Sequence, residues 1–305
     1  MSRKHCLKVA EDSATKDNVD NPHIIGHAAH DIVDDDGRLM LAEGTAVTAT
    51  MYYKLTKRGI KLVIINSPTG PKILQLAFYK KQLLFRNPIK LPERLDPKFD
   101  KLDLTCVGNA VTCVRAILDK VSQDIFLRDN ITALAHRFSE VYCHSINVCL
   151  LADIIAQKVN LSPSDRHNLG LAALFHDIGK LLLPPHIVRS PNANDEAKLY
   201  YRQHPRLGAD ILAAGKGLNA VAVMVLQHHE YFGGQGYPEG LKEAAIHPHA
   251  HIICVANVFD RITSTCFRQD ALSPAEAVEY IVNRKGTGFH PVVVDRFLET
   301  FKTGS

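Results

Sequence analysis

The spacing of apolar residues changes along the chain, from short runs near the N-terminus to helical spacing over most of the remainder. The stretch IVDDDGRLML at residues 32–41 places an Asp-Gly step between two apolar runs, which predicts a β-hairpin. The spacing then predicts a helix over residues 48–58, ending before a glycine, and a strand over residues 60–65. Residues 23–68 are therefore predicted to form a small α+β module.

Beyond residue 128, apolar residues recur at three- and four-residue spacing almost throughout, which predicts an all-α region up to residue 305. Ser162 and Ser273 are each followed by a proline and, three residues later, by an acid, a pattern typical of helix starts. Helical spacing continues through the stretch LGLAALFHDIGK after Ser162. Further helices are predicted over residues 195–203, 205–214, 219–229 and 251–263.

The predicted fold class is mainly α, with an all-α helical domain over residues 128–305 preceded by the α+β module. Residues 1–22 are polar and are predicted to be a flexible tail. Residues 69–127 are interrupted by three prolines in their middle and are predicted to form a helical and irregular connector, with a helix over residues 111–121.

Composition and charge argue against a nucleic-acid polymer or a membrane as a partner. The chain has 305 residues, 46% hydrophobic and 22% charged, and its formal net charge of +4 is too small to indicate a nucleic-acid polymer as partner. No apolar run approaches the roughly 18 residues that span a bilayer, and the N-terminus lacks the apolar segment of a signal peptide. The cysteine number is odd and no C-x-x-C occurs, which favours free thiols in a reducing compartment. We therefore expect a cytoplasmic protein without a membrane partner.

Metal-binding residue types recur on or beside the apolar helices. They are Glu140, His144, His176, Asp177, His204, His228, His229 and Asp260. Each of these features alone is more often a surface or chance feature, but burying the whole set unpaired would cost several kcal/mol per group. A cation offsets that cost, and it favours ionised carboxylates and neutral imidazoles. Their joint occurrence on helices therefore predicts a metal centre.

The order of these residues indicates more than one ion. Adjacent residues inside a helix diverge by about 100°, whereas His228 and His229 at a helix end can straddle two neighbouring ions. Asp177 is predicted to bridge the ions, and Lys180 shares its helical face and is predicted to neutralise charge on a phosphate oxygen. Nitrogen and oxygen donors without a thiolate suit iron, manganese or another first-row ion in a catalytic role. Iron is the metal we expect, with manganese as the alternative.

An ordered series of motifs resembles the HD-GYP family: His144, HDIGK at residues 176–180, His204-Pro205, HHE at residues 228–230, Gly236-Tyr237-Pro238 and Asp260. These are bacterial cyclic di-GMP phosphodiesterases within the HD superfamily of metal-dependent phosphohydrolases. The resemblance covers residues 128–305. It implies an all-α fold, a centre of two or three metal ions, and hydrolysis of cyclic di-GMP to linear dinucleotide or GMP. It also implies that Glu140 serves a third ion and that the Gly-Tyr-Pro loop docks GGDEF-type cyclases.

The residues assigned to catalysis are Asp177 and Lys180, and those assigned to substrate binding are Lys180, Tyr237 and Arg268. The chain departs from the family near Arg268, where Cys266 precedes it and one guanidinium is lost. Each charge-assisted phosphate contact is worth roughly 1.5–3 kcal/mol, so the substrate is predicted to bind less tightly. Two alternatives stay open: a catalytically weak cyclic-dinucleotide sensor or cyclase-docking module, and an HD-type phosphohydrolase acting on another nucleotide. The Gly-Tyr-Pro loop argues against the second.

Overall fold

The fold is given by a computed structural model. It describes residues 24–28, 32–33, 38–48, 55, 62–67, 70–75, 89–265 and 270–302. The chain divides into two compact units, residues 1–78 and residues 79–305.

The described part of the first unit consists mainly of antiparallel strands. Its described part contains β1 (Ile24–Ala28), β2 (Ile32–Val33), β3 (Leu39–Leu41), β4 (Ala46–Thr48), β5 (Leu62–Ser67) and β6 (Gly70–Gln75). Four of them form a sheet in the order β4-β1-β5-β6, and β2 pairs with β3. Among the residues of this unit whose burial the structure describes, Ala28, Ile32, Leu41 and Val47 of the short strands are buried, together with Leu55.

Several predictions for this unit can be compared with the strands. The pairing of Ile32 with Leu41 confirms the two predicted hairpin strands, while the Asp-Gly step between them lies outside the described residues. Strand β5 confirms the strand predicted over residues 60–65 and begins two residues later. Strand β6 was not predicted, because GPKILQ opens with Gly-Pro and its apolar residues do not alternate. The predicted helix over residues 48–58 lies outside the described residues except at Thr48, which ends β4, and Leu55, which is helical and buried.

The second unit is helical in its described part. Its helices are α1 (Leu104–Gln123), α2 (Ile125–Arg137), α3 (Ser139–Gln157), α4 (Pro163–Phe175), α5 (Pro185–Arg189), α6 (Asp195–Tyr201), α7 (His204–Ala213), α8 (Asn219–Gln227), α9 (Pro248–Thr263), α10 (Pro274–Val282) and α11 (Pro291–Leu298). Short 3-10 helices occur at Pro97–Lys101, Ile178–Leu182 and Glu243–Ala245. The mainly α class is confirmed.

Helix α3 forms the centre of this unit. Its sequence is apolar on every side from Ile146 to Ala156 except at Asn147 and Asp153, and it packs against α1, α2, α4 and α9. A helix that is apolar all round is stable only when other elements cover it. The helix predicted over residues 111–121 is confirmed within α1, and the predicted boundary at residue 128 falls inside α2.

The ends of the helices carry the capping residues and several of the predicted metal-binding residues. Ser162 accepts a hydrogen bond from the N–H of Asp165 at 3.1 Å, and Ser273 forms a capping box with Glu276, so both predicted helix starts are confirmed. Helix α4 was predicted to run through HDIGK, but it ends at Phe175 and a 3-10 helix follows Asp177. Helix α7 begins at His204 and α8 ends just before His228.

No helix in the described part of the chain is both long enough and apolar enough to cross a bilayer.

Candidate metal centre

Three buried histidines at these helix ends are held in the same way. Each donates a hydrogen bond from Nδ1 to the backbone carbonyl three residues earlier: His176 to Ala173 at 2.8 Å, His204 to Tyr201 at 2.7 Å and His228 to Val225 at 2.6 Å. A neutral imidazole that donates from Nδ1 keeps the lone pair on Nε2. The three rings are therefore fixed in the tautomer that suits metal binding through Nε2.

Asp177 lies between these rings. Its Oδ1 is 3.2 Å from Nε2 of His204, and its Oδ2 is 3.3 Å from Nε2 of His176 and 2.5 Å from Nζ of Lys180. Burial raises the pKa of the Asp177 carboxyl, but the Lys180 ammonium and the nearby imidazoles outweigh it and hold the pKa well below its usual value. Asp177 is therefore ionised at neutral pH, with one carboxylate oxygen near His204 and the other near His176.

The metal-capable atoms form two groups in the described part of the chain. One comprises His204, His228 and His229, and the other comprises His144, His176 and Asp177, with the donor atoms of each group within 4.8 Å of one another. All six residues are buried. Because Asp177 reaches His204 of the other group, the two groups are adjacent and share one carboxylate.

Unpartnered polar atoms show that these groups fit cations. His176 Nε2 and Asp177 Oδ1 are buried and have no hydrogen-bond partner among the described residues. The Nε2 atoms of His204 and His228 lie 3.3 Å apart, although both carry lone pairs when their Nδ1 atoms donate. Leaving such groups unpaired in the interior costs free energy. A metal ion in each group would satisfy these atoms, so the residues present fit a centre of two ions.

His144 belongs to one group and is held by side chains rather than by its own helix. Its Nδ1 is 2.6 Å from Oδ2 of Asp260, and its Nε2 is 3.0 Å from Oδ1 of Asn257 and 3.9 Å from Oδ2 of Asp177. Asp260 was predicted to bind metal directly, but it lies on the Nδ1 side of His144, whereas Asn257 lies on the Nε2 side. Asp260 is in neither group, and its direct ligation stays a prediction.

Asp260 is itself held by a lysine from outside the predicted domain. Nζ of Lys98 is 2.8 Å from Asp260 Oδ1, 3.0 Å from Thr263 Oγ1 and 2.9 Å from Ser264 Oγ. The Lys98 side chain is buried. A chain of contacts therefore runs from Lys98 through Asp260 to the metal-capable ring of His144, which is the arrangement that orients a ligand imidazole.

Replacing Lys98 with methionine is expected to weaken metal binding by about 10–100-fold. Asp260 would lose its ammonium partner and would favour a protonated His144, which cannot bind metal. Competition with a chromophoric chelator measures the affinity. Lys101→Met, a change at an exposed lysine three residues away, serves as the control and should bind metal normally. Unchanged affinity in Lys98→Met would show that this contact chain does not orient His144.

Glu140 is a member of neither metal-capable group of the described residues. It is half-buried, and its carboxylate accepts a hydrogen bond from Ser139 Oγ at 3.4 Å. Its predicted role toward a third ion stays a prediction.

Lysine, tyrosine and arginine side chains complete the surroundings of the two groups. A small cavity of about 10 Å³ is lined by His144, Asp177, Lys180, Tyr201, His229, Asn257 and Arg261. Nζ of Lys180 lies 5.1 Å from the centre of the Tyr201 ring. The cavity has room for a single water or an oxygen atom of comparable size.

The Gly-Tyr-Pro loop covers the group formed by His204, His228 and His229. The ring of Tyr237 stacks on His229 at a centroid distance of 4.5 Å. Glu230 is buried, and its carboxylate accepts hydrogen bonds from the backbone N–H groups of Glu239, Gly240 and Leu241. The glutamate of the HHE stretch therefore holds the loop, which in turn shields a metal-capable histidine.

The predicted site residues are thus mostly brought together. The structure gathers His144, His176, Asp177, Lys180, His204, His228, His229 and Tyr237, with Asp260 directly behind His144. Arg268 lies outside the described residues. Sequence reasoning missed Lys98, Tyr201, Asn257 and Arg261. The spacing of Asn257 and Asp260, one helical turn apart on α9, was the signal that could have found Asn257.

Stability of the metal-free protein is expected to fall as the pH drops below about 6.5, the ordinary pKa of histidine. Burial is the largest cause that lowers the pKa of His144, His204, His228 and His229 in the folded chain. As the pH falls, these histidines are protonated in the unfolded chain before they are protonated in the folded chain. The free energy of unfolding therefore decreases until the pH is below the lowered pKa values of the folded chain. The pKa of Asp177 is also lowered, but its contribution is lost only below about pH 4. Urea unfolding in the presence of a chelator between pH 8 and pH 5 measures this, and constant stability would contradict it.

The known proteins similar to this chain are named as phosphodiesterases of cyclic dinucleotides. A family model described as an HD domain matches residues 126–293. The sequence is 31% identical over 188 residues to the cyclic di-GMP phosphodiesterase response regulator RpfG of Xanthomonas campestris, covering 60% of this chain and 47% of the relative. It is 31% identical over 201 residues to a cyclic di-GMP phosphodiesterase of Pseudomonas aeruginosa, covering 63% and 48%.

A third relative has a different substrate in its name. The sequence is 28% identical over 170 residues to the 3′3′-cGAMP-specific phosphodiesterase 2 of Vibrio cholerae, covering 55% of this chain and 33% of the relative. The chain therefore spans half or less of the length of these relatives.

Proposed function

The chain belongs to the HD-domain family and is of the HD-GYP type, and from that premise we propose that it is a metal-dependent phosphodiesterase that hydrolyses a cyclic dinucleotide. Cyclic di-GMP is the proposed substrate, because the two relatives with the larger coverage carry that name. The products would be the linear dinucleotide or GMP.

One observation supports this proposal most strongly: two buried metal-capable groups lie side by side and share Asp177. His144, His176 and Asp177 would hold one ion, and His204, His228 and His229 the other. When bound, such a pair of ions lowers the pKa of water and polarises a phosphoryl oxygen. Iron is the proposed metal and manganese the runner-up, because five of these six donors are imidazoles, which suit iron, and one is a carboxylate, which suits manganese.

The chain's own side chains would position and shield the phosphodiester. Lys180 lies against Asp177 and places an ammonium group beside the centre, where negative charge on phosphate oxygens would be stabilised. Tyr201 flanks that ammonium, and Tyr237 covers His229, so bulk water is kept from one side of the centre. A third ion at Glu140 and docking of a GGDEF-type cyclase at the Gly-Tyr-Pro loop stay predictions.

Incubation with substrates tests the proposal directly. The protein is reconstituted anaerobically with Fe(II) or Mn(II), mixed with cyclic di-GMP or 3′3′-cGAMP, and analysed by chromatography for linear product. We expect turnover of cyclic di-GMP that a chelator abolishes. Tight binding without turnover would instead identify a sensor, and neither binding nor turnover of any cyclic dinucleotide would refute the proposal.

A further inference from the structure

Arg261 is a charged residue of the cavity that the proposed mechanism does not yet use. It follows Asp260 on helix α9 and lines the same cavity as Asp177 and Lys180. Its side chain is half-buried. Because the cavity is lined by residues of both metal-capable groups, the charge of Arg261 acts on any ligand that binds there.

The contacts of Arg261 are aromatic rather than acidic. Its Cζ lies 5.8 Å from the centre of the Tyr201 ring. Among the residues that the structure describes, no carboxylate oxygen lies within 4.0 Å of its guanidinium nitrogens. Lys180 differs, because its ammonium contacts Asp177 at 2.5 Å. Arg261 therefore brings to the cavity a positive charge that no carboxylate in the described part of the chain pairs directly.

The surroundings keep that charge in place. The Tyr201 phenol is the largest influence that raises the pKa of Arg261, outweighing burial, so the guanidinium is charged at any working pH. Among the residues that line the cavity, Lys180 and Arg261 are positively charged and Asp177 is the one carboxylate. Metal ions would add further positive charge. The centre as a whole therefore favours an anion in its cavity.

We propose that Arg261 binds a non-bridging oxygen of the phosphodiester held at the metal centre, as a substrate-binding residue of this chain. A guanidinium matches phosphate through two parallel N–H donors, whereas an ammonium acts as a point charge. Arg261 would thus supply, from helix α9 itself, the guanidinium that the sequence lacks near Arg268. This inference rests on the proposed function.

Three variants test the role of Arg261. Arg261→Gln removes the charge, Arg261→Lys keeps the charge without the paired donors, and Arg284→Gln is the matched control. Arg284 also lies over a tyrosine ring, with its Cζ 3.7 Å from the centre of Tyr280, but it is exposed and does not line the cavity. Melting temperature and metal content are measured first, so that changes in folding or metal loading are separated from changes in binding.

Equilibrium binding of cyclic di-GMP to the metal-free and metal-loaded proteins is then measured by calorimetry, together with KM and kcat. We expect Arg261→Gln to bind about 10–100-fold more weakly, as for the loss of one charge-assisted contact, with metal content unchanged. Arg261→Lys should fall between Arg261→Gln and the wild type, and Arg284→Gln should match the wild type. The loss should appear mainly as a higher KM.

The outcomes separate this inference from the proposed function. If the wild type hydrolyses cyclic di-GMP and both Arg261 variants bind it as tightly as the wild type, the inference is wrong and the function stands. If Arg261→Gln does not fold, the lysine variant decides, and wild-type affinity in it overturns the guanidinium contact. If the wild type neither binds nor hydrolyses a cyclic dinucleotide, the proposed function fails and the inference fails with it.

Discussion

Asp177→Asn is expected to reduce kcat by about 10³-fold or more and to leave the protein with less than its full complement of metal. The carboxylate contacts histidines of both metal-capable groups, so its loss affects both ions at once. An amide keeps the shape but removes the negative charge that offsets two cations. Metal analysis of the purified variant and a turnover assay with cyclic di-GMP measure the two effects.

Asp153→Asn is the matched control for this variant. Asp153 is also a buried carboxylate, but it pairs with Arg166 at 2.8 Å and is in neither metal-capable group. We expect Asp153→Asn to lower stability while metal content stays normal. Full metal content and near-normal turnover in Asp177→Asn would show that the Asp177 carboxylate is not needed to bind the two ions.

Gly179→Ala is expected to lower the free energy of unfolding by more than about 3 kcal/mol, the upper range for overpacking. A Cβ on Gly179 would overlap the backbone carbonyl of His204 and would lie 2.6 Å from the amide nitrogen of Gly208. Both neighbours are backbone atoms, so no change of rotamer relieves the clash. The 3-10 helix after Asp177 would be pushed away from α7, and this would separate Asp177 from His204.

Chemical denaturation and metal titration of the alanine variant measure this effect. Gly108→Ala is the control, because a Cβ at that position would meet no atom within 4 Å beyond the adjoining backbone of its own helix α1. Alanine is the better helix former, so the control should be stabilised by about 0.5–1 kcal/mol. If Gly179→Ala is as stable as the wild type and binds metal normally, the close approach of these two segments is not required.

The parts of this site that the sequence predicts are those with local signals. A proline after His204 marks the start of α7 and adjacent histidines mark the end of α8, and both points lie at the metal-capable groups. The capping serine marks only the start of α4, whereas it is the other end, at His176, that reaches these groups. The 3-10 turn after Asp177 was missed because the apolar spacing continues across it. The path of the chain through this turn is decided by the packing of Gly179 against the backbone of α7, and not by the helix propensity of the local sequence.

The residues that sequence reasoning missed depend on contacts between distant segments. Lys98 reaches Asp260 across a separation of 162 residues, and nothing in its local sequence marks it as buried. Arg261 and Tyr201 meet only once α6 and α9 are packed around the centre. The contacts of His144 have the same origin, because the register of α9 against α3 places Asp260 at its Nδ1 and Asn257 at its Nε2.

Electron paramagnetic resonance of the protein loaded with Mn(II) tests most directly whether two ions lie side by side around Asp177. Ions that share a carboxylate and lie about 3.5–4 Å apart are magnetically coupled. We predict two bound equivalents per chain with a coupled spectrum, and loss of the coupling in Asp177→Asn. A single bound equivalent, or two ions giving the spectrum of isolated Mn(II), would contradict the account.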